Sequence, residues 1–318
     1  INAMAVEASQ LDGDGGFDPA QVRLTDPFNG LQDLQGRVLR HVTDAFREDP
    51  VRILRVARFA ARFADFAVAP QTMAMLRAMV DHGEAAALVA ERVWQELARG
   101  LMEATPSRMF TVLQACGAHE VVLPELTQGH AGVGDHVLRM LDQCAARQAS
   151  LEVRFACLCL YAHPAGAPTP ARDAHPIRQL CARLRVPADC TAMAEVAARE
   201  RMALLECARL GVAELVQLLE RCDAFRKPAR FADLLLVMEC DAHAGDGRMN
   251  LPYPPRQRML EVLAAAQAVS TAQVAALAQA QGLAGQQIGL RPVWRRWRPW
   301  RNGARHLSGA ARYWCFHQ

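Results

Sequence analysis

The 318-residue sequence predicts a mainly α-helical protein. Three observations carry that prediction. The composition is 52% hydrophobic but only 6% aromatic, and Ala and Leu dominate it, which favours helices. Alternating runs rich in Val, Ile and Thr are almost absent, which leaves little for a sheet. From Asp49 onward, apolar residues recur at helical spacing.

The elements follow in chain order. Residues 1–40 are mixed. "INAMAV" is short and apolar, "LDGDGGFDPAQVRLTDP" is a loop of Gly, Asp and Pro, and "GRVLRHV" reads as a short edge strand. Asp49 then caps a helix whose first position is Pro50, where no N–H is needed. The stretch "FREDPVRILRVARFAARF" carries five arginines, Arg47, Arg52, Arg55, Arg58 and Arg62. At about 100° per residue, the last four fall within an arc of roughly 120°. Ile53, Leu54, Ala57, Ala60, Ala61 and Ala64 lie opposite, and Phe59 and Phe63 border the arginine stripe. Helices are predicted next in "PQTMAMLRAMVDHG", "ERVWQELARGLMEA" and "SRMFTVLQACGAHEVVLPEL". Trp94, Leu97 and Leu101 form an apolar stripe in the second, with Ala98 beside it. Gly117 and Pro124 punctuate the third. Further helices are expected over 136–160, 175–185, 201–223, 228–241 and 255–281, separated by turn-rich connections. No internal repeat at a fixed period stands out.

Several classes are disfavoured. The ten cysteines form no CxxC pair, no secretory leader pattern is visible, and no apolar run is long enough to cross a bilayer. The expectation is a cytoplasmic protein with reduced, mostly buried thiols and no membrane partner. The net charge of +3 conceals an asymmetry: residues 291–318 hold seven Arg and no acid, leaving 29 basic and 33 acidic groups in the rest. That tail also holds Trp294, Trp297, Trp300 and Trp314 but lacks the helical period. It is expected to be a disordered or out-of-frame end rather than a basic aromatic arm for RNA or a membrane surface.

The arginine helix poses the chemical question. Four guanidinium groups on one face repel one another, so something offsets them. One answer is a solvated face that meets acidic side chains elsewhere. The other uses geometry. Arg presents a planar fork of donors and Asp presents acceptors. Held side by side, Asp49 and Arg52 match adenine and cytosine, which offer an amino donor next to a ring-nitrogen acceptor. Guanine and uracil offer the opposite pattern and leave opposed groups in a dry site. The remaining arginines suit triphosphate oxygens or RNA backbone.

The stretch "REDPVRILRVARFAARF" resembles the base-selecting helix of the bacterial CCA-adding enzymes and their poly(A) polymerase relatives. The order of "INAMA", "DPFNGLQDLQGRVLRHV", the arginine helix, "ERVWQELARGL" and "LQACGAHEVVLPEL" resembles the family over about residues 1–240. The form "LRHVTDAFREDPVRILRVARFAARF" is closer to the CCA-adding branch. The resemblance implies that Asp49 and Arg52 read the incoming base and that Arg55 and Arg58 contact bound ATP or CTP. It implies that Glu91 and Arg92 form a pair at a helix start that supports the reading helix; an ordinary surface ion pair is the plain alternative. The family transfers CMP and then AMP to the tRNA 3′ end, with two Mg²⁺ ions held by carboxylates of its head.

Two departures qualify that expectation. The head's phosphate loop and its two aspartates one residue apart match nothing in residues 1–40; Asp12 and Asp14 have the spacing but sit in a glycine-rich turn. The resemblance therefore implies a fragment or truncated gene product that keeps the end of the head and is inactive alone. Secondly, "HVLRMLDQCAARQASLEVRFACLCLYAHPAGAPTP" resembles the start of an HD phosphohydrolase domain, with His136 at the first metal ligand. Leu160 and Tyr161 stand where its His-Asp dyad belongs, and His163 and His175 complete no metal set. The expected organisation is a head remnant over 1–47, a neck and tRNA-binding body over 48–128, a degenerate HD-like domain over 129–290, and the tail. Poly(A) addition and a catalytically silent RNA-binding remnant are the alternatives to CCA addition.

Overall fold

The structure, a computed structural model, describes residues 4–7, 9, 23–127, 134–162, 174–245 and 251–268. The expectations for Asp12 and Asp14, His163, the tail and the helix beyond 268 lie outside the described residues. The described part is mainly helical, as composition predicts. It forms two compact units, 1–194 and 195–318, so the body expected over 48–128 shares a unit with the first HD-like helices.

The first unit opens with a small antiparallel pair, β1 (Ala5–Val6) and β2 (Leu24–Thr25). α1 (Gly30–Gln35) follows. The Asp26 carboxylate accepts the N–H groups of Leu31 at 2.8 Å and Gly30 at 2.6 Å, and these bonds hold its carboxyl below the usual range. The strand expected in "GRVLRHV" is β3 (Val38–Leu39), paired in parallel with β4 (Ala67–Val68). Between them lie a 3₁₀ turn over Asp44–Glu48 and α2 (Val51–Arg62), the arginine helix.

α2 starts one residue later than predicted. Asp49 still caps it: Oδ1 accepts the Val51 N–H at 3.2 Å. Val51, Ile53, Leu54, Ala57, Ala60 and Ala61 are buried. Burying each of Ile53 and Leu54 contributes roughly 1.5–3 kcal/mol relative to exposure. Ala64 is a correction: the helix ends at Arg62, and Ala64 is exposed. α3 (Pro70–Asp81) leads through a 3₁₀ turn at Glu84–Ala87 to α4 (Ala90–Leu101). α2 packs against α4 and α5 (Ser107–Ala115), where its alanines permit close approach. Trp94 sets its ring edge against Phe155, with centroids 5.4 Å apart. Gly117, at φ 78°, separates α5 from α6 (Ala118–Val122), and Pro124 opens α7 (Pro124–Thr127).

The single helix predicted over 136–160 is two, α8 (Asp135–Ala146) and α9 (Leu151–Cys159). The chain turns at Gln148, which takes the left-handed φ of 51°, and the Ala149 N–H closes onto the Cys144 carbonyl at 2.9 Å. Arg154 is 4% exposed and satisfied: it donates to the carbonyls of Ala149, Leu101 and Glu103. α10 (His175–Leu184) follows the predicted range. The boundary between the units falls within α11 (Ala188–Leu205). The helix predicted over 201–223 is a second correction. Its first residues end α11, and α12 (Val212–Arg221) begins after Gly211, whose N–H the Glu214 carboxylate accepts at 2.7 Å.

The second unit continues with α13 (Pro228–His243) and α14 (Pro254–Gln267). Its buried Glu200 accepts from Arg199 at 3.0 Å and Arg221 at 2.9 Å, and the buried Asp241 pairs with Arg201 at 2.8 Å. The nine cysteines among the described residues are all buried thiols. Burial pushes Cys190 and Cys222 up to about 12 and Cys207 up to about 11, which suppresses the thiolate. Among the described residues, no helix is long and apolar enough to cross a membrane.

Candidate functional site

The site forms at the start of α2, where three segments meet. The 3₁₀ turn delivers the chain, α2 supplies the stripe, and the first turn of α4 faces Asp49. Arg92 takes the Asp49 carboxylate in a fork, Nη1 to Oδ1 at 3.1 Å and Nη2 to Oδ2 at 2.7 Å. That pairing, opposed by partial burial, holds the Asp49 carboxyl below its ordinary range, so it is ionised at neutral pH. A carboxylate has about four acceptor positions. The Arg92 fork and the Val51 N–H fill three, leaving one on Oδ2 for an incoming donor.

Arg52 lies beside this carboxylate. Its Nη1 donates to the Ala45 carbonyl in the 3₁₀ turn, and its guanidinium lies 5.9 Å from the Phe46 ring centre. Arg55 is exposed and has no hydrogen bond or ion pair among the described residues. Arg62 is exposed and stacks on Phe63 at 5.5 Å. Arg58 differs from the expectation. Its side chain is only 12% exposed, its Nε donates to Glu96 at 2.7 Å, and its Nη1 donates to Glu103 at 3.3 Å. Two of its three nitrogens are directed at carboxylates of the body.

Glu91 and Arg92 do stand at a helix start, in the first turn of α4. They are not paired with each other. Glu91 meets Arg185, and Arg92 meets Asp49. Sequence reasoning missed Glu96 and Glu103. Glu96 had a signal: a carboxylate inside the buried stripe of Val93, Leu97 and Leu101.

His136 opens α8 on its second residue, and its Nε2 lies 3.1 Å from the Tyr161 hydroxyl, with the rings edge to face at 5.3 Å. His175 begins α10. Among the described residues, no group of three or more His, Cys, Asp or Glu side chains is placed to hold a metal ion.

A carboxylate held by one arginine, beside a second arginine and near an exposed third, presents an acceptor next to guanidinium donors. Residues 65–129 match the family model described as "Probable RNA and SrmB- binding site of polymerase A". The multifunctional CCA protein of Paracidovorax citrulli is 55% identical over 312 residues, covering 91% of this chain and 72% of that protein. That of Variovorax paradoxus is 53% identical, covering 91% of this chain and 74% of that protein. The chain belongs to the family of multifunctional CCA proteins. The fold agrees. A CCA-adding enzyme solved with CTP has a TM-score of 0.55 at 16% identity, over 84% of this chain. The Thermotoga maritima CCA-adding enzyme solved with tRNA has a TM-score of 0.52 at 16% identity, over 78% of this chain. This chain spans 59% and 55% of the length of those two solved chains.

Proposed function

We propose that residues 1–318 supply the base-selecting and tRNA-binding part of a CCA-adding tRNA nucleotidyltransferase, which adds CMP and then AMP to the tRNA 3′ end. The observation that carries this is the Asp49 carboxylate, pinned by Arg92 with one acceptor position left, beside the Arg52 fork. The Asp49 acceptor meets the exocyclic amine of ATP or CTP, and Arg52 meets the ring nitrogen after exchanging its Ala45 contact for the base. Arg55 reaches phosphate. Arg58 holds the reading helix on α4. Arg92 keeps the carboxylate charged and aimed, and Glu91 steadies the same helix start through Arg185. The RNA-binding family match over 65–129 supports tRNA as the partner, and a cytoplasmic location goes with that substrate. Mg²⁺ belongs to the family's head carboxylates and to no described residue of this chain.

The test is incorporation on a tRNA lacking its final CCA. The 318-residue chain alone is expected to add nothing with Mg²⁺. Fused to the head of the Paracidovorax citrulli relative, it is expected to add CMP and then AMP. Incorporation of ATP alone in long runs would make it a poly(A) polymerase. A fusion that binds tRNA without transfer would make it a silent RNA-binding remnant.

The HD-like region is proposed to be inactive. Tyr161 stands where a metal-binding acid would be needed and its hydroxyl engages His136. No hydrolysis of a cyclic nucleotide is expected with Ni²⁺, Mn²⁺ or Mg²⁺. Metal-dependent hydrolysis that vanishes in His136→Ala refutes this.

A further inference from the structure

The turn that leads into α2 is fastened from an unexpected side. Thr72, in the first turn of α3, is fully buried although polar. Its hydroxyl takes two contacts from one residue: the His41 backbone N–H donates to Oγ1 at 3.1 Å, and His41 Nδ1 lies 2.8 Å from the same oxygen. The hydroxyl oxygen accepts the backbone N–H, so its own hydrogen is free to go to Nδ1, and both groups are satisfied with the imidazole hydrogen on Nε2. The pairing of β3 with β4 supports this register, since the Ala69 N–H, just before α3, donates to the Leu39 carbonyl at 3.0 Å. His41 in turn sets its ring edge against Phe46, with centroids 5.9 Å apart. Phe46 flanks the Arg52 guanidinium, and the neighbouring Ala45 carbonyl receives its hydrogen bond.

We propose that His41 is a positioning residue for base selection, carrying the rigidity of α3 through the Thr72 hydroxyl and the Phe46 ring to the turn that aims Arg52. This rests on the base-reading account of Asp49 and Arg52. The α2 helix fixes where Arg52 is rooted but not where its long side chain points. The turn over Asp44–Glu48 holds the far end, and among its five residues only Phe46 is not exposed. Through His41 that ring is linked to the buried Thr72 of α3. A loose turn lets the Arg52 fork sample orientations that suit a carbonyl as well as a ring nitrogen, so the penalty lands on discrimination before affinity.

The experiment is equilibrium binding of ATP, CTP, GTP and UTP to the 318-residue protein, with thermal unfolding measured in parallel. His41→Ala and Thr72→Val are each expected to reduce the preference for ATP and CTP over GTP and UTP by about fivefold, the effect of one hydrogen bond. Thr72→Ser keeps the hydroxyl and is expected to keep the preference. His41→Asn retains an acceptor for Thr72 but lacks the ring, and is expected to fall between. The ratio is the informative readout, because a purely structural role lowers the unfolding temperature and binding of all four nucleotides together. If Arg52→Ala abolishes the preference while His41→Ala and Thr72→Val leave it intact, the positioning role is wrong and the base-reading account stands. If wild type shows no preference, or Arg52→Ala leaves it unchanged, the base-reading account fails and takes this inference with it.

Discussion

Arg58→Ala is expected to destabilise the first unit by about 3 kcal/mol, the scale for removing one partner of a buried ion pair. Glu96 is 7% exposed and would lose its 2.7 Å donor, and Glu103 would lose one at 3.3 Å. Arg99 remains within 3.7 Å of Glu96 but is itself largely exposed, so it screens the stranded charge only in part. The double replacement Arg58→Met with Glu96→Leu fills similar volume without charge and is expected to return most of the lost stability. Urea unfolding followed by far-ultraviolet circular dichroism, which reads the helices, reports both. An unchanged midpoint in Arg58→Ala would sink the structural assignment. The double variant also separates two roles. If Arg58 holds α2 in place, the refolded double variant keeps nucleotide binding. If Arg58 grips triphosphate, as the family resemblance implies, the variant is stable and has lost affinity.

Arg58 shows where the sequence stops being legible. Its angular position placed it in the arginine arc, and that was right. The arc spans roughly 120°, however: its Arg58 edge lies against α4, its Arg52 edge meets the 3₁₀ turn, and the exposed Arg55 and Arg62 lie between. Telling the edges apart requires knowing that Glu96 faces α2. Glu96 was visible as a carboxylate in an apolar stripe, whereas Glu103, beyond the end of α4 at Leu101, carries no periodicity at all. The helices from 51 to 115 were legible because apolar residues recur at helical spacing, and Pro50, Pro70 and Pro106 mark three of their starts. The break at 147–150 was not, because it rests on a left-handed Gln148 in a stretch with no Gly or Pro. Residues 188–200 were missed because Ala recurs on every side of that helix and blurs its stripe. Asp49 and Arg52 were readable as a pair, since a cap residue and the residue three positions on share one end of a helix. Arg92 as the partner of Asp49 was not, because nothing in sequence spacing joins two side chains 43 positions apart.

The last expected result concerns that pair. In the chain fused to a relative's head, Asp49→Asn is expected to lower discrimination for ATP and CTP over GTP and UTP by roughly 30-fold, the scale of a mismatched polar contact in a dry site. An amide keeps the volume and an acceptor for the Val51 N–H, so the start of α2 survives. It loses the charge that Arg92 grips, and it can turn its NH₂ to a base carbonyl as readily as its oxygen to a base amine. Asp49→Ala is expected to show the same loss of selectivity with about 1 kcal/mol of added instability from the missing cap. Arg52→Ala is expected to reduce both selectivity and affinity, since it removes the donors from one base edge. Arg62→Ala is expected to change neither much, because that side chain lies on Phe63 at the far end of α2, a helix of 12 residues. Single-turnover incorporation of all four nucleotides on a tRNA lacking its last residues gives each ratio. If Asp49→Asn and Arg62→Ala lose rate equally and both keep their selectivity, the stripe is a generic basic surface. The carboxylate held by Arg92 would then be no more than a helix cap.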